Sequence, residues 1–436
     1  IEIRRKPPLM RFPAGRGSFS GSLPIEPLIS REASIMIYNR IGTERPRGRF
    51  PSDDRLYLYR RGALKAVFFA NTDWYLYNFR LDFAKFLRSK GWEVIFVSPA
   101  GSYESLLIDE GFRFVPFSLS RKGINPFIES DTIARIQSIF AHEKPDLVQN
   151  YTVKCVIYGS IAAKNLGIRK IVNSITGLGY SFLGQTPLAF LIREIVLRLY
   201  RRALKGTQVL FENPDDQKIF IDRGLVTPDQ SHVILGTGVN LNRFRLISLP
   251  ENTPVVILPA RMLWDKGVHE FVAAAKILHE KGVKARFALV GRVDDGNPAS
   301  VPFERLTQWQ KEGIVEIWGW QEDIVTVFTI SNVVCLPSYR EGLPKILLEA
   351  ASCGRPIVAT DVAGCREIVR DGVNGFLVPA RSAEALAGAL EKLILDRELC
   401  RRMGIAGRKL VEEEFAAEIV NAKTYEVYAL LKQGGR

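Results

Sequence analysis

Cysteine, histidine and long hydrophobic runs are all scarce in this sequence. Its five cysteines lie far apart and form no Cys-x-x-Cys pair (Cys155, Cys335, Cys353, Cys365 and Cys400). An odd number of cysteines without a recognisable disulfide framework suggests reduced thiols in a cytosolic compartment. No run of 18 apolar residues is present, so a membrane-spanning helix is not expected. A signal peptide is not indicated either.

Positive charge is concentrated at the N-terminus. The net charge is +13, and residues 1–62 hold 13 Lys/Arg against 6 Asp/Glu. The mildly basic remainder fits anionic substrates or an anionic membrane surface at least as well as nucleic acid, for which no binding signature is present. Residues 1–62 are rich in Arg, Pro, Gly and Ser and begin with Ile. They indicate a disordered extension or an over-extended translation start, with a basic membrane-tethering or targeting arm as the alternative.

From residue 63 onward, short hydrophobic strands alternate with amphipathic helices, a pattern typical of βαβ units and parallel sheets. It predicts an α/β fold of two Rossmann-like domains, 63–245 and 252–414, facing each other across a cleft. The helix at about 415–432 is a candidate to pack back on the first domain. Thirteen strands are predicted: Ala63–Ala70, Trp92–Ser98, Phe112–Phe117, Pro145–Asn150, Lys170–Ser174, Val209–Phe211, Ser231–Leu235, Val255–Pro259, Ala285–Val290, Val315–Trp318, Asn332–Leu336, Ile357–Ala359 and Gly375–Val378.

One stretch of the second domain, residues 337–350, combines a strand end, a loop and a helix start. Glu341 lies in the loop and Glu349 two turns into a helix predicted from near Leu343, roughly 12 Å along the axis. The free N–H groups of a helix start form an anion site between the two carboxylates. A ligand with a polyol at each end and a phosphate group in the middle fits this layout, as a nucleotide sugar does.

Two cations and a glycine extend this candidate site. Arg261 and Lys266 follow a predicted strand end and could neutralise a diphosphate leaving group, although a solvated loop would use the same residues. Gly364, in the loop after Asp361, would let backbone approach a phosphate closely before the next short helix.

These segments of the second domain resemble the retaining glycosyltransferase family 4 enzymes, which have the GT-B fold. The resemblance is carried by Arg261–Gly267, Val290–Arg292, Gly372–Pro379 and the Glu-x7-Glu pair Glu341 and Glu349. It implies a nucleotide-sugar donor held without a metal ion or other cofactor, and no Asp-x-Asp stands in a metal-site context.

The resemblance also implies a role for each matched residue on the donor side. Arg261 and Lys266 would hold the donor diphosphate, and Glu341 would contact the transferred sugar. Glu349 would bond the ribose hydroxyls. Gly342 and Leu343 would touch the donor through their backbone. The choice of base would depend on backbone contacts around Gly291, Arg292 and Gly319–Trp320, which no motif specifies.

The first domain resembles the bacterial subgroup that extends polyprenyl-diphosphate-linked sugars, among them α-1,3-N-acetylgalactosaminyltransferases. The matching segments are Trp74–Arg80, Ser120–Pro126, Tyr151–Lys154 and Ile175–Tyr180, the last of which holds Gly177 and Gly179. With the second domain, the resemblance covers about residues 64–430. It implies a lipid-linked acceptor at this side of the cleft, with Gly177 and Gly179 among the binding residues.

The acceptor side departs from the broader family. Many members carry a His after the fourth strand, where this sequence has Asn150, Thr152 and Lys154 as candidates for the sugar contact. Asn71-Thr72-Asp73 replaces the usual Gly-Gly after the first strand, so Asn71 and Asp73 become candidates for acceptor binding. Asp73 could accept the acceptor's proton, or it could serve as a helix N-cap or turn residue.

A basic amphipathic helix is predicted at Pro187–Lys205. It is too short and too charged to span a bilayer, but it suits an anionic membrane surface. A core helix whose arginines reach outward would show the same pattern.

The sequence therefore predicts transfer of a sugar, an N-acetylhexosamine, from a UDP-sugar to a polyprenyl-diphosphate-linked glycan. The expected place is the cytoplasm, at the inner face of the plasma membrane. A nucleotide-sugar hydrolase or epimerase of GT-B fold is an alternative, although an epimerase would favour histidines in the cleft, where none of the four is expected. The other alternative is a catalytically inactive partner that binds a nucleotide sugar. Loss of Glu341 or Lys266 would have indicated such a protein, but both residues are present.

Overall fold

The computed structural model describes residues 62–119, 126–177, 187–294 and 296–433. The predictions for residues 1–61, for Ser120–Asn125 and for Gly179 lie outside these residues. The described part contains two parallel sheets, which confirms the predicted fold class.

The first sheet has seven parallel strands in the order β3-β2-β1-β4-β5-β6-β7. After its first three strands the order reverses, so the crevice between β1 and β4 is the point where ligands bind in such sheets, outside the carboxyl ends of the strands. All seven strands were predicted: β1 Leu64–Phe69, β2 Trp92–Ser98, β3 Arg113–Pro116, β4 Leu147–Tyr151, β5 Ile171–Ile175, β6 Gln208–Phe211 and β7 Ser231–Val233.

The helices of the first domain cover both faces of this sheet. They are α1 Leu81–Ser89, α2 Glu104–Asp109, α3 Pro126–Glu143, α4 Val153–Asn165, α5 Pro187–Leu204 and α6 Pro214–Asp222. Among the described residues, none of the helices is both long and apolar enough to span a membrane.

Two helical segments differ from the sequence prediction. Residues 73–78 were predicted as a loop, but a helical turn begins at Asp73, continues as a π-helix over Leu76–Arg80 and leads into α1. The Thr72 hydroxyl caps this turn by accepting the N–H of Tyr75 at 3.1 Å. Helix α6 was not predicted, although its Asn N-cap and the Pro at its first position are start signals.

The second sheet has six parallel strands in the order β10-β9-β8-β11-β12-β13, with the same reversal between β8 and β11. Its strands are nearly free of exposed side chains, as expected for a sheet covered on both faces. They are β8 Val255–Pro259, β9 Arg286–Val290, β10 Glu316–Gly319, β11 Val333–Leu336, β12 Ile357–Thr360 and β13 Gly375–Val378.

Eight α-helices accompany the second sheet in the described residues, and the last one returns to the first domain. They are α7 Val268–Glu280, α8 Phe303–Lys311, α9 Ile324–Thr329, α10 Lys345–Ser352, α11 Cys365–Ile368, α12 Ala383–Leu395, α13 Arg397–Leu410 and α14 Ala417–Gln433. On α14, Val420, Val427 and Tyr428 belong to the hydrophobic core on one face of the first sheet. The Tyr428 ring meets Phe83 and Trp92 edge-on, at centroid distances of 5.6 and 5.7 Å.

A buried arginine anchors the segment that connects the two domains. Arg355, between α10 and β12, is 0% exposed. Its guanidinium donates to the carbonyls of Ile247 at 2.6 Å, Ser248 at 2.8 Å and Ser331 at 2.9 Å. One side chain thus ties the connecting segment to the second domain.

Candidate functional site

The loop of residues 337–344 joins β11 to α10 at the carboxyl end of the second sheet, and it is called here the Glu341 loop. Helix α10 begins at Lys345, two residues later than predicted, with Pro344 as its N-cap. Proline has no polar side chain to cap the helix, so the start of α10 is a candidate anion site.

Lys266 and Glu341 are brought together by the packing of two loops. Lys266 ends a 3₁₀ turn after β8, and the following Gly267 has φ +70°. A Cβ on Gly267 would lie 2.1 Å from the Pro337 carbonyl oxygen, so this backbone approach requires glycine. The contact places Lys266 Nζ 2.5 Å from Glu341 Oε1, with the two side chains 18% and 11% exposed.

Glu349, the second carboxylate of the motif, lies one helical turn after Lys345, whose Nζ is 3.8 Å from its Oε1. Burial raises the pKa of the Glu349 carboxyl above its usual value, and the charges of Lys345 and Arg243 oppose this shift. The side chain is only 14% exposed. A buried carboxylate of this kind needs hydrogen-bond donors, which a ligand's hydroxyl groups can supply.

Arg261 follows β8, on the same loop as Lys266, but has a different partner. Its Nη1 lies 2.9 Å from Asp294 Oδ2, in the loop after β9. The sequence prediction grouped Arg261 with Lys266 and missed Asp294. Each cation of the candidate diphosphate site therefore has its own carboxylate, and an anionic ligand would have to replace these carboxylates as the partner.

Glycines allow neighbouring loops to touch at the carboxyl edge of the second sheet. A Cβ on Gly291, which has φ +149°, would lie 1.9 Å from the Ala260 carbonyl oxygen. Gly364 has φ +79°, and a Cβ at this position would lie 2.2 Å from the Gly342 carbonyl oxygen, so no larger residue fits there. The sequence predicted that Gly364 allows close backbone approach, and in the structure the backbone it meets is that of the Glu341 loop.

Arg292 stands at the outer end of this edge. Its guanidinium carbon is 5.1 Å from the centre of the Trp320 ring, which is 46% exposed after β10. An exposed aromatic face paired with a guanidinium is a suitable surface for a planar group. It lies at the position where the sequence predicted contacts with a base.

The structure assigns Asp73 a structural role, in place of a contact with an acceptor. Its carboxylate accepts the backbone N–H groups of Trp74 at 2.8 Å, Tyr103 at 2.8 Å and Glu104 at 3.1 Å. The residue is buried. Of the two sequence-based alternatives for Asp73, the cap or turn residue is the one that these hydrogen bonds support.

Asn150 lies inside the first domain and does not line the cleft, contrary to the sequence prediction. It is 0% exposed on β4, and its Nδ2 donates to Asn173 Oδ1 at 3.0 Å and Ser160 Oγ at 3.4 Å. Side chains alternate between the two faces of a strand, so Asn150 points into the layer between the sheet and α4.

Other predicted first-domain residues lie at the carboxyl edge of the sheet. Thr152, at the N-cap of α4, has φ +67° and ψ 154°, a strained conformation for a β-branched residue. Lys154 and Asn71 are half-buried, after β4 and β1 respectively. A Cβ on Gly177 would lie 3.8 Å from Gly342 Cα, so Gly177 directly faces the Glu341 loop.

Sequence reasoning missed a cluster around Arg80, which is called here the Arg80 cluster and consists of Tyr75, Arg80, Tyr151 and Glu212. Arg80 Nε donates to Tyr75 Oη at 3.0 Å, and the guanidinium lies 4.3 Å from the Tyr151 ring centre. Its Nη2 is 3.5 Å from Glu212 Oε1. Burial raises the pKa of Glu212 to about 7 and that of Tyr75 to about 12.

The segment after β6 connects this cluster to the second domain. Arg340 Nη2 lies 2.5 Å from Asp216 Oδ1, and Arg366 Nη1 lies 2.9 Å from Asp215 Oδ2. Lys345 Nζ donates to the Asn78 carbonyl at 2.5 Å. These contacts hold the carboxyl edges of the two sheets against each other around the Glu341 loop.

The arrangement can bind an anion through fixed positive charge. Lys266, Arg261 and the start of α10 supply that charge, and Glu341 and Glu349 supply acceptors for hydroxyl groups. In the described part of the chain, no group of three or more His, Cys, Asp or Glu side chains is placed to hold a metal ion.

Two family models match the chain, one for each domain. The model described as glycosyl transferases group 1 matches residues 242–410, and the model described as glycosyl transferase 4-like matches residues 65–213.

Curated relatives match over most of the chain. It is 30% identical to the N,N'-diacetylbacillosaminyl-diphospho-undecaprenol alpha-1,3-N-acetylgalactosaminyltransferase of Campylobacter jejuni, over 74% of this chain and 88% of the relative. It is 24% identical to the UDP-Gal:alpha-D-GlcNAc-diphosphoundecaprenol alpha-1,3-galactosyltransferase of Escherichia coli, over 70% of this chain and 82% of that one.

A solved structure shares the fold over nearly its whole length. Anabaena Alr3699/HepE in complex with UDP and glucose superposes with a TM-score of 0.69 at 21% identity, covering 84% of this chain and 99% of that one.

Proposed function

Because this chain belongs to the group 1, family 4-like glycosyltransferases, we propose that it transfers an N-acetylhexosamine from a UDP-sugar to a polyprenyl-diphosphate-linked glycan, with retention of the anomeric configuration. The proposed binding of the donor is supported mainly by the ion pair between Lys266 and Glu341, whose Nζ and Oε1 atoms lie 2.5 Å apart near the start of α10. The acceptor class is supported by the Campylobacter jejuni and Escherichia coli relatives, whose names specify undecaprenol-diphosphate-linked sugars. The transfer would serve assembly of a cell-surface polysaccharide or of a glycoprotein glycan.

In the proposed complex, Lys266 and Arg261 exchange their carboxylate partners for the donor diphosphate. Glu341, released from Lys266, then accepts hydrogen bonds from hydroxyl groups of the transferred sugar. Glu349 accepts hydrogen bonds from the hydroxyl groups of the ribose. Charge develops on the diphosphate as the glycosidic bond breaks, and cations fixed in place stabilise that charge without reorganising. We propose that these side chains supply the positive charge and that no metal ion is needed.

On the acceptor side we propose that Thr152 and Lys154 contact the incoming sugar. Thr152 holds a strained backbone conformation at the carboxyl edge of the first sheet, and such strain is concentrated at ligand sites. Lys154 follows within the first turn of α4, where a cation can approach the acceptor diphosphate or its sugar. Gly177 supports this side by its contact with the Glu341 loop.

We also propose that the enzyme works in the cytoplasm, at an anionic membrane surface that α5 contacts at the inner face of the plasma membrane. Phe190 on this helix is 56% exposed, and Arg198, Arg201 and Arg202 are exposed as well. An apolar side chain beside several cations suits the interface between lipid headgroups and acyl chains. Each such cation near an anionic surface contributes about 1 kcal/mol to binding.

Reversal of three charges on α5 tests the membrane contact. The variant R198E/R201E/R202E should lose most of its binding to vesicles that contain phosphatidylglycerol, measured by flotation, because attraction becomes repulsion. A control with three reversals on exposed residues of the second domain, Lys276→Glu, Arg305→Glu and Lys311→Glu, should float like the wild type. Equal flotation of the two triple variants would refute the role of α5.

A donor screen tests the reaction itself. The protein is incubated with each of several UDP-sugars, with and without lipids extracted from bacterial membranes, and release of UDP is measured. Release that depends on lipid, strongest with a UDP-N-acetylhexosamine, is the expected result. Equal release without lipid would indicate hydrolysis, and no release from any nucleotide sugar would contradict the proposal.

A further inference from the structure

One peptide group of the Glu341 loop is contacted at both ends by the first domain. The Gly342 carbonyl accepts Asn213 Nδ2 at 2.8 Å, and the Leu343 N–H faces the Glu212 carboxyl group, whose charged form it favours. These two atoms belong to the same peptide unit, which joins Gly342 to Leu343. Two consecutive side chains after β6, Glu212 and Asn213, thus fix the orientation of this peptide plane.

The close fit around Gly342 leaves this peptide little freedom. A Cβ there would lie 2.7 Å from the Thr176 carbonyl oxygen and 2.9 Å from Glu212 Oε2. On the other side, Gly364 lies against the Gly342 carbonyl. The loop therefore passes between Thr176 of the first domain and Gly364 of the second.

Both holding side chains are themselves fixed inside the first domain. Asn213 is the N-cap of α6, where its Oδ1 accepts the Asp216 N–H at 2.8 Å, so its Nδ2 has a defined direction. Glu212 is held by the guanidinium of Arg80, which is in turn bonded to Tyr75 and lies over Tyr151. The positions of Glu212 and Asn213 are therefore fixed by contacts within the first domain, separately from their contacts with the Glu341 loop.

We propose that Glu212 and Asn213 are positioning residues for glycosyl transfer, which set the orientation of the Gly342–Leu343 peptide and thereby place Glu341 and the start of α10 against the donor. This rests on the proposed donor role of the Glu341 loop. A turned peptide would exchange a carbonyl oxygen for an N–H at the edge of an anion site, which reverses its polarity there. Displacement of a substrate-positioning group by about 1 Å costs roughly 10²-fold in rate.

The charge of Glu212 gives this inference a pH signature. Burial raises its pKa to about 7. The charged or titratable groups that interact with it are Arg80 and Tyr75 from the helical segment after β1, and Asp216 from α6. Tyr75 stays neutral in this range because burial raises its pKa to about 12, and Asp216 is paired with Arg340. Below pH 7, a protonated Glu212 attracts the Leu343 N–H less strongly than the carboxylate does, so activity should fall.

The test compares two variants, each of which removes one holding group, with the wild type. Glu212→Gln keeps an acceptor oxygen but loses the charge, and Asn213→Ser keeps a capping oxygen but loses the amide donor. Both should lower kcat by about tenfold or more with a smaller change in KM for the donor. The activity step near pH 7 should vanish in Glu212→Gln and persist in Asn213→Ser. Lys218→Ala, on the exposed face of α6, is the control.

Amide hydrogen exchange of the segment 337–350 in the donor-free protein provides a readout independent of catalysis. Faster exchange there in both variants, with unchanged exchange in the core strands, is expected. Exchange equal to the wild type, or an unchanged pH profile in Glu212→Gln, would overturn the inference. A wild-type enzyme inactive with every donor would instead contradict the proposed function, while the exchange result would still decide whether these side chains hold the loop.

Discussion

The Lys266→Met variant should lose about 10²- to 10³-fold in kcat/KM, the loss typical when one preorganised group that stabilises a developing negative charge is removed. Lys266 is the partly buried cation of the donor side, 18% exposed, and it already binds an anion, the Glu341 carboxylate at 2.5 Å. Methionine keeps much of the side-chain volume but supplies no charge to the leaving diphosphate. Steady-state kinetics with the donor identified in the screen measure the effect.

A second change separates lost chemistry from lost stability. In Lys266→Met, Glu341 becomes a partly buried carboxylate without its partner, which destabilises the folded protein. The double variant K266M/E341Q removes that unpaired charge, so its melting temperature should recover while its activity remains low. Lys276→Met, on the exposed face of α7, serves as the control. Near-normal transfer by Lys266→Met would remove this residue from the donor site.

Replacement of Arg355 by methionine should reduce the free energy of unfolding by about 3–5 kcal/mol, since several buried carbonyl acceptors lose their donor at once. Burial lowers the pKa of Arg355 to about 10, so the guanidinium is still charged at neutral pH. Its hydrogen bonds to Ile247 and Ser248 hold the segment between the domains. Urea unfolding followed by circular dichroism measures the change.

The matched control for Arg355 is an exposed arginine. Arg286 forms a bidentate salt bridge with Glu316 at the surface of the second domain, and each of its two N···O distances is 2.7 Å. Exposed pairs contribute roughly 0–1 kcal/mol, so Arg286→Met should change the unfolding free energy far less. A loss below about 1 kcal/mol for Arg355→Met would mean that water replaces its hydrogen bonds.

The fold was predictable because its signals are local. Buried parallel strands are continuous runs of apolar residues, such as Val255–Pro259, and each is closed by turn residues. The start of α6 has a local signal too, in Asn213 and Pro214, but the run after it is short and polar. The helical turn at Asp73 was missed because the aromatic residues that follow it resemble a loop packed on a surface.

The candidate site was predictable on one side only. Glu341, Gly342 and Glu349 lie within one short segment, so their spacing alone indicates a helix start between two carboxylates. The Arg80 cluster joins residues more than a hundred positions apart, and only the folded sheet brings Arg80 to Glu212. Asn150 was wrongly predicted to lie in the cleft. The face of the sheet to which its side chain points depends on the register of β4 with β5, which the sequence does not specify.

The return of α14 to the first domain decides how this protein can be divided. A fragment that stops at the end of the first sheet would leave the surface around Phe83 and Trp92 uncovered, because Tyr428 packs there. A fragment that starts with the second sheet would include α14, but the apolar face of this helix would be exposed to solvent. The two halves are therefore expected to fold well only when supplied together, so that a split enzyme would regain activity by complementation between its pieces.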